Sequence, residues 1–458
     1  MTLNGRNVVV LGLGITGLSA ARWAAGHGAR VTVADTRADP PRARELRSEL
    51  PQIALTTGPI AEATLAGAQL IIISPGLSKE LPAIRAAVAR GVELVGDIEL
   101  FARGLPPTQK VLAITGSNGK TTVTALTTEL ARSAGLVATS VGNIGEPVLD
   151  VLSVHERGAS WPDVFVLELS SFQLETTASL KPVAATVLNV TENHLDRYPS
   201  IAEYTAAKAR VFDGGGEQIV NRDDPRSFAM RLAGRVVQTF GSGVPEGEND
   251  WGLVERKGSA WLARGGALLL AASELKLVGR HNALNALAAL ALTSTVAKID
   301  RKVLAALCAF QGLPHRMERV TEIGGVLFVN DSKGTTVAAT LAALDGMDRP
   351  VVLIAGGDGK GQDFAPLKVA VGAHCRAVVL LGRDAPMLAA ALSGATPAIE
   401  LAPALEVAVA RAIALARSGD AVLLSPACAS LDMFRDYVDR GDRFKAAVAA
   451  HAREPTHA

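Results

Sequence analysis

The sequence predicts an α/β protein of three domains built on largely parallel β-sheets. Short β-branched runs alternate with alanine-rich helical stretches along the whole chain, which is the pattern of successive β-α-β units. The 458 residues are too many for a single hydrophobic core and indicate roughly two to four domains. Turn-forming residues at 103–109 (RGLPPTQ) and 311–318 (QGLPHRME) interrupt the pattern. We therefore expect domains of residues 1–106, 107–312 and 313–458.

The predicted elements fall into one group for each domain. The first domain has strands at 7–11, 31–34, 70–73 and 92–95. The second has strands at 110–115, 165–169 and 184–190, with helices near 120–134, 201–212 and 281–297. Short β runs and glycines between 235 and 277 predict a small β subdomain. The third has strands at 326–330, 351–355, 377–381 and 421–424, and a last helix from about 431.

Composition excludes several classes of protein. The net charge of 46 − 45 = +1 and the 4% aromatic content do not suit a nucleic-acid-binding surface. The most apolar segments, such as 283–297, are shorter than the roughly 18 apolar residues of a membrane span, so no membrane association is expected. Cys308, Cys375 and Cys428 are widely spaced and form no CxxC motif. This indicates a reducing compartment, the cytoplasm, and no structural zinc.

A glycine-rich turn follows the first predicted strand. Gly12, Gly14 and Gly17 precede a helix, and Asp35 ends the next strand, as in the fingerprint of dinucleotide-binding domains. By itself this pattern indicates an NAD-dependent oxidoreductase. The first domain, however, shows four predicted strands where a complete dinucleotide fold has six. Another nucleotide-containing ligand is therefore favoured, and a purely structural turn remains the third alternative.

A second phosphate-binding pattern opens the central domain. In TGSNGKTT, Gly116, Gly119, Lys120 and Thr121 lie between a predicted strand and a helix. Such a loop presents backbone N–H groups to phosphates, its lysine reaches the terminal phosphate, and its threonine hydroxyl can bind Mg²⁺. A chance GKT sequence is the alternative. Two phosphate-binding turns on separate domains predict two different ligands.

Polar residues follow the neighbouring strands of the central domain. Glu168 ends a hydrophobic strand, where an unpaired carboxylate is costly unless it reaches solvent or binds a cation. The next strand is followed by a second polar group, Glu192, Asn193, His194 and Asp196. With Thr121 these side chains could form a hard-cation site of oxygen and nitrogen ligands. A polar loop histidine is the alternative for His194.

Three polar loops follow strands of the third domain. The loops contain Asp331, Lys333 and Thr335, then Asp358 and Lys360, then Ser425 and Ser430. Loops at the carboxyl edge of a parallel sheet converge, and lysines there suit an anionic substrate.

Two predicted helices of the central domain carry further polar residues. Lys208 lies in an alanine-rich helix, where a lysine is typical of a solvent-exposed face. Asn282 fits a helix cap, whereas Asn285 is less easily explained.

Several motifs together resemble the Mur ligase family over residues 6 to about 446. They are TGSNGKTT, ELSSFQLE, NVTENHLDRY, HNALNALAAL, GLPHRME, NDSK, GGDGKGQDF and LLSPACASLDMF, together with GDIELF at 96–101. The resemblance implies a Rossmann-like N-terminal domain, a P-loop ATPase domain in the centre and a Rossmann-like C-terminal domain. It further implies an ATP- and Mg²⁺-dependent enzyme, expected to be a monomer. The enzyme would join D-glutamate to UDP-N-acetylmuramoyl-L-alanine through an acyl phosphate, for peptidoglycan synthesis. A sibling ligase or a folylpolyglutamate synthase-like enzyme is the alternative within this class.

The resemblance also implies roles for individual residues. Positions matching those around the UDP-substrate are Ile15, Thr16, Asp35, Thr36, Arg37, Ser74, Gly76 and Asn143. ATP-binding positions are Gly116, Ser117, Asn118, Gly119, Lys120, Thr121, Thr122, Asn282, Arg316 and Asp331. The implied catalytic residues are Lys120, His194 and Lys208, and the implied metal ligands are Thr121, Glu168, His194 and, if it is carbamylated, Lys208. Positions matching the D-glutamate site are Lys333, Thr335, Lys360, Ser430 and Leu431. Asn193 stands where the family pattern has aspartate, and NDSKGTT replaces the more usual NDSKATN.

Overall fold

Alternating strand and helix segments produce a chain of parallel β-sheets covered by helices. The structure, a computed structural model, describes residues 2–192, 197–277, 279–395 and 398–453. The chain divides into two compact units. The first comprises Met1–Gly241, Glu246–Trp251 and Ala288–Val303, and the second comprises Ser242–Pro245, Gly252–Leu287 and Leu304–Ala458. The predicted α/β class with largely parallel sheets is confirmed.

The N-terminal domain is a parallel five-stranded sheet. Its elements are β1 (Asn7–Leu11), α1 (Ile15–Gly26), β2 (Arg30–Asp35), α2 (Ala43–Glu49), β3 (Ala54–Thr57), β4 (Leu70–Ile73), α3 (Pro82–Ala89), β5 (Glu93–Val95) and α4 (Asp97–Gly104). The strand order is β3-β2-β1-β4-β5. The edge strand β3 was not predicted, because its exposed residues give no apolar pattern.

The central domain extends a parallel sheet from the phosphate-loop strand. Its elements are β6 (Lys110–Thr115), α5 (Lys120–Ser133), β7 (Ala138–Gly142), α6 (Val148–Glu156), β8 (Val164–Glu168), α7 (Ser171–Leu174), β9 (Ala184–Val187), α8 (Ile201–Ala209), β10 (Glu217–Asn221), α9 (Pro225–Ala229), β11 (Val237–Phe240), β12 (Asp250–Arg256), β13 (Ser259–Arg264), β14 (Ala267–Ala271), α10 (Arg280–Ser294) and α11 (Arg301–Ala309). In the first unit the order is β12-β11-β10-β9-β6-β8-β7. Strand β12 continues into the second unit, where β13 and β14 follow it. The predicted β segment is thus partly an extension of the central sheet, since β11 pairs parallel with β10.

The C-terminal domain is a six-stranded sheet. Its elements are β15 (Glu318–Ile323), β16 (Val326–Asn330), α12 (Val337–Asp345), β17 (Val351–Gly356), α13 (Leu367–His374), β18 (Cys375–Leu381), α14 (Ala385–Ala391), β19 (Ala398–Leu401), α15 (Leu405–Leu415), β20 (Ala421–Leu424) and α16 (Tyr437–Arg453). The order is β15-β16-β20-β17-β18-β19, and only β15 is antiparallel to its neighbour. The last helix begins at Tyr437, not near 431 as predicted, because residues 431–436 form an isolated turn on the Ser430 carbonyl followed by a bend and not a continuous helix.

The strand orders determine which loops meet. Strand β6 lies between β8 and β9, so the loops that leave their carboxyl ends are neighbours. In the C-terminal domain β20 lies between β16 and β17, which brings their three following loops together in the same way.

In the described part of the chain, no helix is both long and apolar enough to cross a membrane.

Candidate active site

The phosphate loop links β6 to α5 and depends on two glycines. Gly119 has a φ of 84° and Gly116 a φ of 155°. A Cβ on Gly116 would lie 3.0 Å from Leu188 Cβ, so a side chain would displace the strand-end residues beside it. The side chain of Asn189 holds the loop, because its Oδ1 accepts from the Asn118 N–H at 2.8 Å and its Nδ2 donates to the Asn118 carbonyl at 3.1 Å. The loop therefore has the form that presents the start of α5 to an anion.

Two lysines meet at the carbonyl of Gly116. Lys120 Nζ donates to it at 2.8 Å and to the Ser117 carbonyl at 3.0 Å, and Lys208 Nζ donates to it at 2.9 Å. Lys208 is 1% exposed, so the prediction of a solvated helix face was wrong. Burial, and then the charge of Lys120, lower the pKa of Lys208 well below 10.5. Its amine is therefore biased towards the neutral, nucleophilic form.

Tyr204 belongs to this cluster although sequence reasoning missed it. The Lys208 Nζ lies 4.4 Å from the centroid of its ring, and the Tyr204 hydroxyl is 3.3 Å from Ser117 Oγ. Ser117 Oγ also accepts from the Thr191 N–H at 3.0 Å. The four-residue spacing of Tyr204 and Lys208 on α8 places them on one helix face and is the signal that could have identified it.

Glu168, at the end of β8, is held by the residue after β7. Asn143 Nδ2 donates to Glu168 Oε1 at 2.9 Å, and the Asn143 N–H donates to the Glu168 carbonyl at 2.8 Å. Glu168 is 2% exposed, which rules out the alternative of a strand-end charge in solvent. Among the described residues its Oε2 is buried and has no hydrogen-bond partner. A carboxylate oxygen in that state fits a cation.

The remaining predicted metal ligands differ in what the structure describes. Thr121, the second residue of α5, is half-buried, as is Thr122. His194 and Asn193 lie outside the described residues. Within the described ranges no group of three or more His, Cys, Asp or Glu side chains could hold a metal ion. Of the predicted metal ligands, the described residues therefore include Glu168, Thr121 and the buried Lys208.

In the N-terminal domain Asp35 organises the glycine turn. Its Oδ2 accepts from the Leu13 N–H and from Arg37 Nη2, each at 2.6 Å, and its Oδ1 accepts from Arg37 Nε at 2.8 Å. The Arg37 guanidinium and these N–H groups lower the pKa of Asp35 to about 2. These contacts favour a role in shaping the turn over the ribose-binding role expected from the NAD fingerprint.

The turn after β4 packs on the glycine turn. Ser74 Oγ donates to the Gly12 carbonyl at 3.1 Å, and a Cβ on Gly17 would lie 1.7 Å from the same oxygen. Seven of the eight predicted UDP-site residues lie at this edge of the sheet, and the eighth, Asn143, follows β7 in the central domain. Ile15, Thr36, Arg37 and Gly76 are exposed, whereas Thr16 and Ser74 are half-buried. The structure thus places these seven residues at the carboxyl ends of β1, β2 and β4.

GDIELF and ELSSFQLE meet in the first unit, which sequence reasoning did not foresee. Gln173 Nε2 donates to Asp97 Oδ2 at 3.3 Å, while Gln173 Oε1 accepts from the Ser170 N–H at 3.1 Å. Glu99 accepts the N–H groups of Ala178 and Ser179 at 2.7 and 2.8 Å. Burial raises the pKa of Asp97 to about 6. The two motifs therefore fix the segment that follows Glu168.

In the second unit Asp331 follows β16 and is buried. Its Oδ2 accepts from Ser425 Oγ at 2.8 Å and its Oδ1 from the Met317 N–H at 3.2 Å. Burial raises the pKa of Asp331 to about 7. Lys333 Nζ lies 3.8 Å from the centroid of the Tyr437 ring. The predicted meeting of the loops after β16 and β20 is confirmed by the bond between Asp331 and Ser425.

Arg440 underlies the same loops and was missed by sequence reasoning. It is 1% exposed, and it donates to Ser332 Oγ at 3.0 Å, to the Ser332 carbonyl at 2.8 Å and to the Cys428 carbonyl at 3.1 Å. Burial lowers the pKa of Arg440 to about 10. No sequence signal distinguishes it from the exposed Arg435 and Arg443 of the same region.

The other predicted residues of this unit lie in its loops, except Asn282, which lies in α10, and Leu431 is strongly exposed. Lys360 has a φ of 51° and its N–H donates to Asp358 Oδ1 at 2.9 Å, while Asp358 and Ala429 exchange backbone hydrogen bonds that join the loops after β17 and β20. Thr335 and Arg316 are half-buried, and Ser430 and Asn282 are buried. Asn285 Nδ2 donates to Asn282 Oδ1 at 3.0 Å, which explains why a second asparagine lies within α10.

Comparison with known proteins covers all three domains. The model of the Mur ligase MurD-like N-terminal domain matches residues 6–96, that of the Mur ligase middle domain residues 114–293, and that of the Mur ligase glutamate ligase domain residues 315–428.

Several relatives are similar over the full chain. A protein of Thiobacillus denitrificans named UDP-N-acetylmuramoylalanine--D-glutamate ligase is 54% identical, covering 98% of this chain and 97% of its own. One of the same name from Aromatoleum aromaticum is 53% identical, covering 97% of each. Among solved structures, the UDP-N-acetylmuramate-alanine ligase MurC of Thermotoga maritima covers 97% of this chain and 99% of its own at 20% identity, with a TM-score of 0.57, and shares the fold. The chain belongs to the Mur ligase family.

Proposed function

We propose that the protein is an ATP-dependent ligase that joins D-glutamate to UDP-N-acetylmuramoyl-L-alanine in the synthesis of peptidoglycan precursors. The observation that supports this most strongly is the identity of about half of all positions with proteins of that name, over almost the whole chain. The site agrees with this function, because three separate domains carry the features that it requires. We assign the phosphate loop to a domain of residues 107–312, the glycine turn for the UDP-substrate to residues 1–106, and the converging loops for D-glutamate to residues 313–458.

The reaction requires activation of a carboxylate. An unactivated carboxylate repels nucleophiles and has a poor leaving group, so the terminal alanyl carboxylate first attacks the γ-phosphorus of ATP. The bond to the β-phosphate oxygen breaks, ADP leaves, and an acyl phosphate forms. The amine of D-glutamate then attacks the acyl carbon, inorganic phosphate leaves, and the nitrogen loses a proton. The protein contributes positioning and charge stabilisation to these steps.

The phosphate-loop residues 116–122 would hold ATP, with Lys120 at its terminal phosphates. Lys120 donates to loop carbonyls 2.8 and 3.0 Å away, and we propose that it exchanges these bonds for phosphate oxygens when ATP binds. We propose that Asn282, Arg316 and Asp331 are further ATP contacts.

Mg²⁺ is part of the proposal. Glu168, Thr121 and His194, with Lys208 if carbamylated, are the residues that would hold it. The Oε2 of Glu168, which has no hydrogen-bond partner in the described part of the chain, fits that role. When bound, the ion would neutralise charge between the two reacting anions. Lys208 is suited to carbamylation because its buried amine is held towards the neutral form.

For the substrates, we propose that Ile15, Thr16, Asp35, Thr36, Arg37, Ser74, Gly76 and Asn143 surround the UDP-substrate. Lys333, Thr335, Lys360, Ser430 and Leu431 would surround D-glutamate. His194 is a candidate to accept the amine proton, but a metal-bound histidine could not do so, and the base stays unassigned. That the protein acts as a monomer in the cytoplasm remains a prediction. The three free cysteines are consistent with a reducing compartment.

The test is phosphate release with UDP-N-acetylmuramoyl-L-alanine and a panel of amino acids. We expect D-glutamate to be preferred and Lys120→Ala to lower kcat by roughly 10³-fold or more with an unchanged circular dichroism spectrum. Preference for another amino acid, or for a folate acceptor, would assign the protein to a sibling activity. Nicotinamide turnover would instead support the oxidoreductase alternative.

A further inference from the structure

Arg197 contacts three residues on two separate segments of the first unit. Its Nη2 donates to the Leu77 carbonyl at 2.7 Å and lies 3.6 Å from Glu175 Oε2. Its guanidinium carbon lies 4.7 Å from the centroid of the Phe172 ring. The side chain is only 16% exposed, so these interactions are partly shielded from solvent.

The two segments belong to different parts of the proposed active site. Leu77 ends the turn after β4, and its N–H donates to the Ser74 carbonyl at 3.0 Å. Ser74 in turn donates to Gly12 of the glycine turn. Phe172 and Glu175 lie in and just after α7, in the segment that follows Glu168. One arginine of the central domain therefore holds the far end of the 74–77 turn, whose near end is bonded to the glycine turn.

We propose that Arg197 is a positioning residue that fixes the 74–77 turn on the central domain and thereby sets where the diphosphate of the UDP-substrate lies relative to the phosphate loop. This inference rests on the proposed function. The UDP end of such a substrate binds on one domain and its carboxylate must reach the γ-phosphorus on another. A displacement of about 1 Å at a distance can lower the rate by roughly 100-fold.

An arginine suits this place better than a lysine. Its planar guanidinium can donate to the Leu77 carbonyl, face the Glu175 carboxylate and stack on Phe172 at the same time, whereas an ammonium group is a single point charge. Arg197→Lys should therefore retain only part of the function, and Arg197→Ala should lose most of it.

The experiment compares Arg197→Ala and Arg197→Lys with wild type in the ligase assay. Arg22→Ala is the matched control, because Arg22 also joins the first domain to the central one, through Asp150 at 3.2 Å between α1 and α6. For Arg197→Ala we expect the KM for the UDP-substrate to rise about 10-fold or more and kcat to fall by roughly 10- to 100-fold. The Kd for ATP should stay within about twofold, Arg197→Lys should be intermediate, and Arg22→Ala should keep wild-type kinetics.

Four outcomes would overturn the inference. The first is wild-type kinetics in Arg197→Ala, and the second is a loss of ATP affinity in Arg197→Ala as large as its loss of affinity for the UDP-substrate. The third is an effect of Arg22→Ala as large as that of Arg197→Ala. The fourth applies if Arg197→Ala does not fold, and is full activity of Arg197→Lys. In each of these cases an active wild-type enzyme leaves the proposed function standing. A wild-type protein that forms no product from UDP-N-acetylmuramoyl-L-alanine and D-glutamate overturns the proposed function, and this inference with it.

Discussion

Replacing Asp35 by asparagine would remove the charge that holds the first glycine turn in shape. The pKa of Asp35 is about 2 against an ordinary value of 3.8, and its side chain is 2% exposed. At about 1.4 kcal/mol per pKa unit, this shift corresponds to about 2 kcal/mol of stabilisation by the ionised form. An asparagine would in addition turn an N–H₂ group towards the donors on Leu13 or Arg37.

The stabilisation has a defined pH dependence. The pKa is depressed in the folded protein, so the contribution is fully present above about pH 4 and is lost as the pH falls towards 2. The difference between wild type and Asp35→Asn should therefore be constant near neutral pH and shrink in acid.

Hydrogen exchange followed by mass spectrometry measures this locally. A loss of about 2 kcal/mol should speed exchange in peptides spanning residues 7–17 by roughly 30-fold at neutral pH, because the Leu13 N–H donates to Asp35. Peptides covering β17 should be unchanged. The control variant is Asp39→Asn, at an exposed position on the same loop. Equal protection of residues 7–17 in wild type and Asp35→Asn would refute the reasoning.

Three further predictions concern the two phosphate-binding regions. Gly17→Ala should raise the KM for the UDP-substrate at least about 10-fold and leave the Kd for ATP unchanged, because the new Cβ would lie 1.7 Å from the Gly12 carbonyl oxygen. Gly26→Ala is the control, since a Cβ there meets no atom within 4 Å. Equal effects of the two substitutions on this KM would argue against the prediction. Wild type incubated with ¹³C-bicarbonate should give a carbamate NMR signal that Lys208→Ala lacks, and a wild-type spectrum without it would exclude carbamylation. Glu168→Gln should raise the Mg²⁺ concentration for half-maximal activity roughly 10-fold, and an unchanged Mg²⁺ titration would remove Glu168 from the metal site.

The parts of the fold that sequence predicts well are those with local signals. The junction between β6 and α5 is such a case. Gly119 adopts a left-handed conformation that glycine favours, and α5 begins at the next residue, Lys120, so adjacent residues predict both the turn and the helix start. The buried strands β1, β6 and β17 have uninterrupted apolar runs. The edge strands β3 and β7 were missed because they are partly exposed and have no such run.

The site residues that sequence reasoning missed or misread depend on tertiary contacts. Lys208 and Arg440 have neighbours typical of a solvated helix, and only the packing of distant loops buries them. Arg197 lies within a recognised motif, yet its partners Leu77 and Glu175 are 120 and 22 positions away in the chain. Nothing in residue spacing encodes such contacts. The family resemblance identified Lys208 as a site residue, but it did not indicate that this lysine is buried.

In the proposed reaction, ATP phosphorylates the alanyl carboxylate before the amine attacks. UDP-N-acetylmuramoyl-L-alanine labelled with ¹⁸O in that carboxylate tests it directly. When the labelled substrate is converted with ATP and D-glutamate, mass spectrometry of the released inorganic phosphate should detect one ¹⁸O atom per molecule, because the bridging oxygen of the acyl phosphate leaves with the phosphorus. Phosphate that contains no ¹⁸O while the amide is formed would contradict the account.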